Sequence, residues 1–69
     1  MSLRVSPAQG EVLDLILAGL SNAEIARRRR RSVHTVAHQV DAIFRRLGVG
    51  SRLELFALAA RRGQAGTAP

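Results

Sequence analysis

The sequence predicts an all-α domain of four helices. Three features carry that expectation: a serine before each helical segment, apolar residues recurring at helical spacing behind it, and no run with the alternation of a strand.

Ser6 precedes Pro7, which suits a first helical position, and Gln9 completes a Ser-x-x-Gln capping box. Val12, Leu13, Ile16 and Leu17 then form one stripe and Gly19 supplies a stop, so the first helix is expected over 7–18. Gly10 inside it costs about 1 kcal/mol against alanine. Ser21 and Glu24 make a second box and open a short helix over 22–29, with Ile25 and Ala26 facing inward beside Leu20. Ser32 caps a third helix, 33–47, ended by Gly48; its inner stripe is Val36, Val40, Ile43 and Leu47. Ser51 and Glu54 make a third box before a fourth helix, 52–62, closed by Gly63, and residues 64–69 read as a disordered tail. A short helix, a tight corner and a longer helix with a clean inner stripe form a helix-turn-helix, here about 22–44, within a single domain covering 1–69.

A chain of 69 residues buries only about 60% of its unfolded surface, so its core is marginal. It has no cysteine, which excludes disulfides and thiolate metal sites. The longest apolar run, Leu55 to Ala60, is far too short to span a bilayer, and Met1 to Arg4 open no signal-type segment. A soluble cytoplasmic protein without a membrane partner is expected.

Charge narrows the class of partner. The net charge is +6, and all 11 basic residues are arginines. Residues 1–26 set Arg4 against Glu11, Asp14 and Glu24, a net −2, whereas residues 27–69 set ten arginines against Asp41 and Glu54, a net +8. A basic half of this kind fits a polyanion. Two phenylalanines and no Trp or Tyr argue against modules that stack single-stranded bases.

Several blocks carry a more specific signal: Ser6-Pro7, Glu11-Val12-Leu13, Gly19 through Ala26, Thr35-Val36, Leu47-Gly48-Val49, and Ser51-Arg52 with Glu54. In identity and spacing they resemble the LuxR/FixJ-type DNA-binding domain of bacterial transcription regulators, from Val5 to Gln64. The resemblance implies a four-helix domain that binds double-stranded DNA as a dimer, with the third helix in the major groove and the fourth at the dimer contact. It implies transcription regulation, no enzymatic activity and no cofactor. RNA polymerase is a further partner for such a regulator. The chain departs from the family at several positions. Arg29 and Arg31 stand where apolar residues are usual, Ala23 and Ala37 where lysines are frequent, and Gln39 replaces a frequent histidine, with His38 one place earlier.

On the third helix, His34, His38, Asp41 and Arg45 lie opposite the inner stripe, with Ala37 on the flank. His34, Ala37, His38 and Asp41 are the expected base-reading residues; Ala37 can meet a thymine methyl, and Asp41 can accept from a cytosine amino group. His34 and His38 also have the i, i+4 spacing of a zinc pair, with Asp41 as a conceivable third ligand. Two exposed histidines without cysteine support are far more often a solvated pair, so no metal is expected. Arg27, Arg28, Arg30, Thr35, Arg45 and Arg46 are the expected phosphate contacts. Arg29 and Arg31 are assigned to packing, and Arg52 either to phosphate or to an acid such as Glu11. The fourth helix is apolar nearly all round, more than one core face can use, so Phe56 and Leu58 are expected at a homodimer contact.

Two rival readings remain at this level. Region 4 of an extracytoplasmic-type sigma factor shares the capped helix-turn-helix, but the trailing Leu47-Gly48-Val49 and Ser51-Arg52 block favours the LuxR type. A protein-interaction module that pairs with a full-length regulator is kept open by the missing lysines at 23 and 37. An enzyme is not expected, because no acid, base and nucleophile set converges.

Overall fold

The computed structural model describes residues 5–62, which form α1 (Pro7–Leu17), α2 (Asn22–Arg29), α3 (Val33–Leu47) and α4 (Arg52–Arg61), with no strand among the described residues. The first and last helices end one residue earlier than their spacing predicts, at cap residues Ala18 and Arg62. The expected stop at Gly63 and the tail 64–69 lie outside the described residues.

The four serines start the helices for one reason. Each side chain accepts a hydrogen bond from the backbone N–H three residues on: Gln9 to Ser6 at 3.2 Å, Glu24 to Ser21 at 3.2 Å, Thr35 to Ser32 at 3.0 Å and Glu54 to Ser51 at 3.1 Å. The reciprocal half of the box forms at Gln9 and Glu24, whose side chains accept from the N–H of Ser6 (3.1 Å) and Ser21 (2.8 Å). At the third expected box it does not. Glu54 accepts instead from Gly50 N–H at 2.8 Å. Ser51 has φ −156°, against −68° and −75° at Ser6 and Ser21, and this more extended backbone turns its own N–H away from the carboxylate.

Three helices end in the same left-handed turn. Behind Gly19 (φ 94°), Leu20 N–H returns to Leu15 O at 3.1 Å; behind Gly48 (φ 73°), Val49 N–H returns to Phe44 O at 3.0 Å. The middle turn uses Arg30 (φ 56°), with Arg31 N–H on Ala26 O at 2.9 Å. Arg30 is the single non-glycine residue with positive φ among the described residues, a conformation that costs an L-residue about 1–2 kcal/mol.

Every helix contributes to one core: Val12, Leu13 and Ile16 from α1, Ile25 and Ala26 from α2, Val36, Val40 and Ile43 from α3, and Leu55 and Ala59 from α4. Each large aliphatic among them contributes about 1.5–3 kcal/mol by leaving water. Half-buried Leu17, Leu20, Leu47, Val49 and Leu58 pack around this centre. α3 lies against both α1 and α2, so its orientation is fixed by two partners.

Polar ties cross between elements at Arg29 and at Arg52, and neither matches the expected pairing of Arg52 with Glu11. Arg29 takes Glu11 instead, Nη1 to Oε1 at 2.7 Å, with its own side chain only 20% exposed. The start of α4 abuts the corner between α1 and α2, so Arg52 donates there, from Nη1 to Leu20 O at 3.0 Å and from Nη2 to Asn22 Oδ1 at 2.9 Å. The corner carbonyl has no helical partner downstream, which is why a guanidinium satisfies it. Arg31, also assigned to packing, is exposed. The left-handed turn at Arg30 uses the Arg31 backbone N–H for closure and leaves the side chain in solvent.

Candidate nucleic-acid interface

The buried stripe of α3 determines its outer face. With Val36, Val40 and Ile43 fixed in the core, His34, Ala37, His38 and Asp41 are all exposed, and together they line one shallow hollow of about 230 Å³. The two imidazoles meet edge to face, with centroids 4.6 Å apart and planes at 86°. Their Nε2 atoms stand 3.2 Å apart. Asp41 pairs with Arg45 one turn on, Oδ2 to Nη2, and both side chains remain largely in water. That pairing offsets the repulsion Asp41 alone exerts on phosphate, and it leaves Oδ1 to accept.

Cations stand at both ends of this face. The run Arg27 to Arg31 precedes α3, and Arg45 and Arg46 occupy its last turn. Within the run, Arg27, Arg28, Arg30 and Arg31 are exposed, while Arg29 is taken up by Glu11. Arg27 adds to the field at Glu24, whose carboxyl is held below its ordinary range first by the backbone and side chain of Ser21 and then by Arg27. Arg28 faces a wide cleft of about 500 Å³ lined also by Glu11, Asp14 and Leu15, so part of its field is spent on α1. Thr35 lies in the first turn of α3, where Ser32 donates to its Oγ1 at 2.9 Å. With that acceptor filled, its own hydroxyl proton points elsewhere, and N–H groups at a helix start favour an anion.

Two exposed residues escaped the sequence reading. Val33 is 51% exposed and lies one turn before Ala37, extending the small apolar flank of the face. The i, i+4 relation to Ala37 was the available signal. On α4, Leu53 is 78% and Phe56 38% exposed, whereas Leu58 is half-buried against the core. Gln39 is half-buried with Oε1 shielded from water and without a hydrogen-bond partner; nothing in the structure explains it. No group of three His, Cys, Asp or Glu side chains converges among the described residues, and no helix there is long and apolar enough to cross a membrane.

A short capped helix, a left-handed corner and a core-anchored helix with an exposed polar face bracketed by arginines define a DNA-binding helix-turn-helix domain. Residues 4–59 match the family described as bacterial regulatory proteins, luxR family, and the chain belongs to it. Response regulator Rre1 of Synechocystis sp. is 38% identical over 63 residues, covering 91% of this chain and 27% of that protein. A Mycobacterium tuberculosis protein carrying the name HTH-type transcriptional regulator is 39% identical over 59 residues, covering 86% of this chain and 7% of its own length. Among solved structures, the RcsB response regulator of Salmonella typhimurium superposes with a TM-score of 0.78 at 32% identity, over 86% of this chain and 29% of that one. The chain thus spans less than a third of each of these relatives. Membership of this family makes it a DNA-binding domain of the kind carried by bacterial regulatory proteins.

Proposed function

We propose that this chain reads duplex sequence by laying α3 in the major groove. His34, Ala37, His38 and Asp41 meet base edges, and Arg27, Arg28, Arg30, Thr35, Arg45 and Arg46 hold phosphates. The observation that carries this reading is the single exposed face opposite the buried stripe of α3, with those four side chains around one hollow and arginines at both ends. Major-groove base edges offer the donor and acceptor pattern that imidazole and carboxylate groups can read, and the flanking phosphates supply the sequence-independent part of the affinity.

The same domain pairs with a second copy through α4. Exposed Leu53 and Phe56 supply the apolar surface, with Leu58 behind them bridging to the core. Two such domains place their α3 helices at half-sites about one helical turn apart. As in a larger regulator, RNA polymerase is a partner of the assembled complex, in the cytoplasm.

Two variants separate reading from holding. His38→Ala should relax preference at one or two base pairs, costing roughly 1–3 kcal/mol on the best site and little on random DNA. Arg30→Ala should weaken every duplex alike and lower the slope of log K against log salt by about one unit. The reading is wrong if His38→Ala binds all sequences as the parent does while Arg30→Ala alone changes the preferred site. For the dimer, Phe56→Glu and Leu53→Glu are measured by sedimentation beside circular dichroism. A folded variant that self-associates like the parent removes α4 from the contact.

A further inference from the structure

We propose that His34 and His38 form a chelate for one late first-row divalent metal ion, and that this ion and DNA base edges compete for the same face of α3. The spacing of the two histidines alone argues weakly for a site, because i, i+4 residues share a face without sharing a target. The structure supplies what spacing lacks. The two Nε2 atoms are hydrogen-bonded to each other at 3.2 Å, so each ring directs a nitrogen at the other and a metal ion would take the place of the shared proton. A tetrahedral zinc ion with Zn–N bonds of about 2.0–2.1 Å sets two imidazole nitrogens about 3.3 Å apart, so both rings can hold one ion with no movement of the helix. Val36, Val40 and Ile43 fix α3 in the core, and the segment carrying both ligands is therefore rigid before the ion arrives.

The surroundings specify the class of ion. Two imidazoles suit zinc, copper or nickel and not magnesium or calcium, which prefer oxygen donors. No third protein ligand stands within reach among the described residues, so water completes the coordination shell. The hollow of about 230 Å³ has room for that hydrated ion. Asp41 borders the same hollow with one oxygen engaged by Arg45, and its other oxygen can accept from a metal-bound water. A hydrated cation here occupies the space a base edge needs and uses the very nitrogens that would contact it. Competition therefore follows from geometry, and this second half of the proposal rests on α3 being the reader.

The experiment uses the 69-residue chain titrated with zinc chloride by calorimetry, with imidazole nitrogen NMR as an independent readout on the parent. One ion per chain is expected, with both Nε2 resonances shifted. His34→Gln or His38→Gln should each weaken binding by on the order of 100-fold, because the second ligand no longer acts intramolecularly. Combining His34→Gln with Val33→His keeps two imidazoles but points them to different sides of the helix, and it should not restore affinity. Binding that survives either single substitution, returns with the relocated histidine, or never reaches one-to-one stoichiometry overturns the site. A second arm adds the tightest duplex selected from a random pool. That duplex should lower zinc affinity by about tenfold or more, and zinc should lower duplex affinity by the same factor. If zinc binds as expected and the duplex is indifferent to it, the chelate stands and both the competition and the role of α3 as reader fall.

Discussion

The corner of the helix-turn-helix is closed at an energetic cost, and replacing Arg30 measures it. Arg30 sits at φ 56°, ψ 47°, between the end of α2 and the cap of α3. An L-residue there carries about 1–2 kcal/mol of strain relative to glycine. Glycine regains that strain but loses roughly 0.5–1 kcal/mol to the greater freedom of its unfolded chain. The net gain for Arg30→Gly is therefore about 0.5–1 kcal/mol. In a domain of this size, that corresponds to a melting temperature higher by roughly 4 °C. Removing one guanidinium from the run Arg27 to Arg31 also relieves repulsion, so a second variant is needed. Arg30→Ala removes the same charge and keeps the strain. The quantity to measure is the difference between the two melts, followed by circular dichroism at matched salt. Arg30→Gly should melt several degrees above Arg30→Ala, while both should lose the same unit of salt slope on duplex DNA. Arg30→Gly melting below Arg30→Ala would show that the corner is unstrained, and equal melts would limit the strain to the unfolded-chain cost of glycine.

Gly10→Ala should stabilise the chain by about 1 kcal/mol in a denaturant titration, since the added Cβ meets only Val5 Cγ2, at 3.8 Å. Ile43→Ala removes a fully buried side chain from the centre of α3 and should cost about 2–5 kcal/mol, enough to abolish the cooperative thermal transition in so small a domain. Arg52→Lys replaces the two-nitrogen fork on Leu20 O and Asn22 Oδ1 with a single point donor and should cost about 2 kcal/mol, visible as a lower denaturant midpoint with unchanged slope. Glu24 has a folded pKa below its ordinary 4.5, so its contribution to stability is complete above that value and is lost as pH falls through the folded pKa. Glu24→Gln should flatten the acid side of the stability profile below pH 4.5 and leave neutral pH nearly unchanged, because glutamine can still accept from Ser21.

The helices were legible because their signals are local. Ser6, Ser21, Ser32 and Ser51 each act on an N–H three residues away, and Gly19 and Gly48 each close a turn over the preceding few residues. Core membership followed from the 3.6-residue period, which places Val36, Val40 and Ile43 on one side whatever they pack against. The outer face of α3 came with it, as the complement of that stripe. A sequence reading also recovered Leu20 at the corner and the arginines at both ends of the face.

What the sequence alone could not determine lies between elements. Glu11 chooses Arg29, 18 residues away, because α2 crosses α1 there, and Arg52 reaches back 30 and 32 residues to the corner that α4 abuts. Such partners depend on how helices cross, which the period of one helix does not encode. The fourth helix is the clearest case. Its seven apolar side chains look equivalent along the sequence, and only packing against the rest of the domain gives Leu55 and Ala59 to the core, Leu58 to its margin, and Leu53 and Phe56 to the surface. The histidine pair shows the same division at a smaller scale. The i, i+4 spacing puts His34 and His38 on one face, and the 3.2 Å between their Nε2 atoms depends on side-chain rotamers, which spacing does not specify.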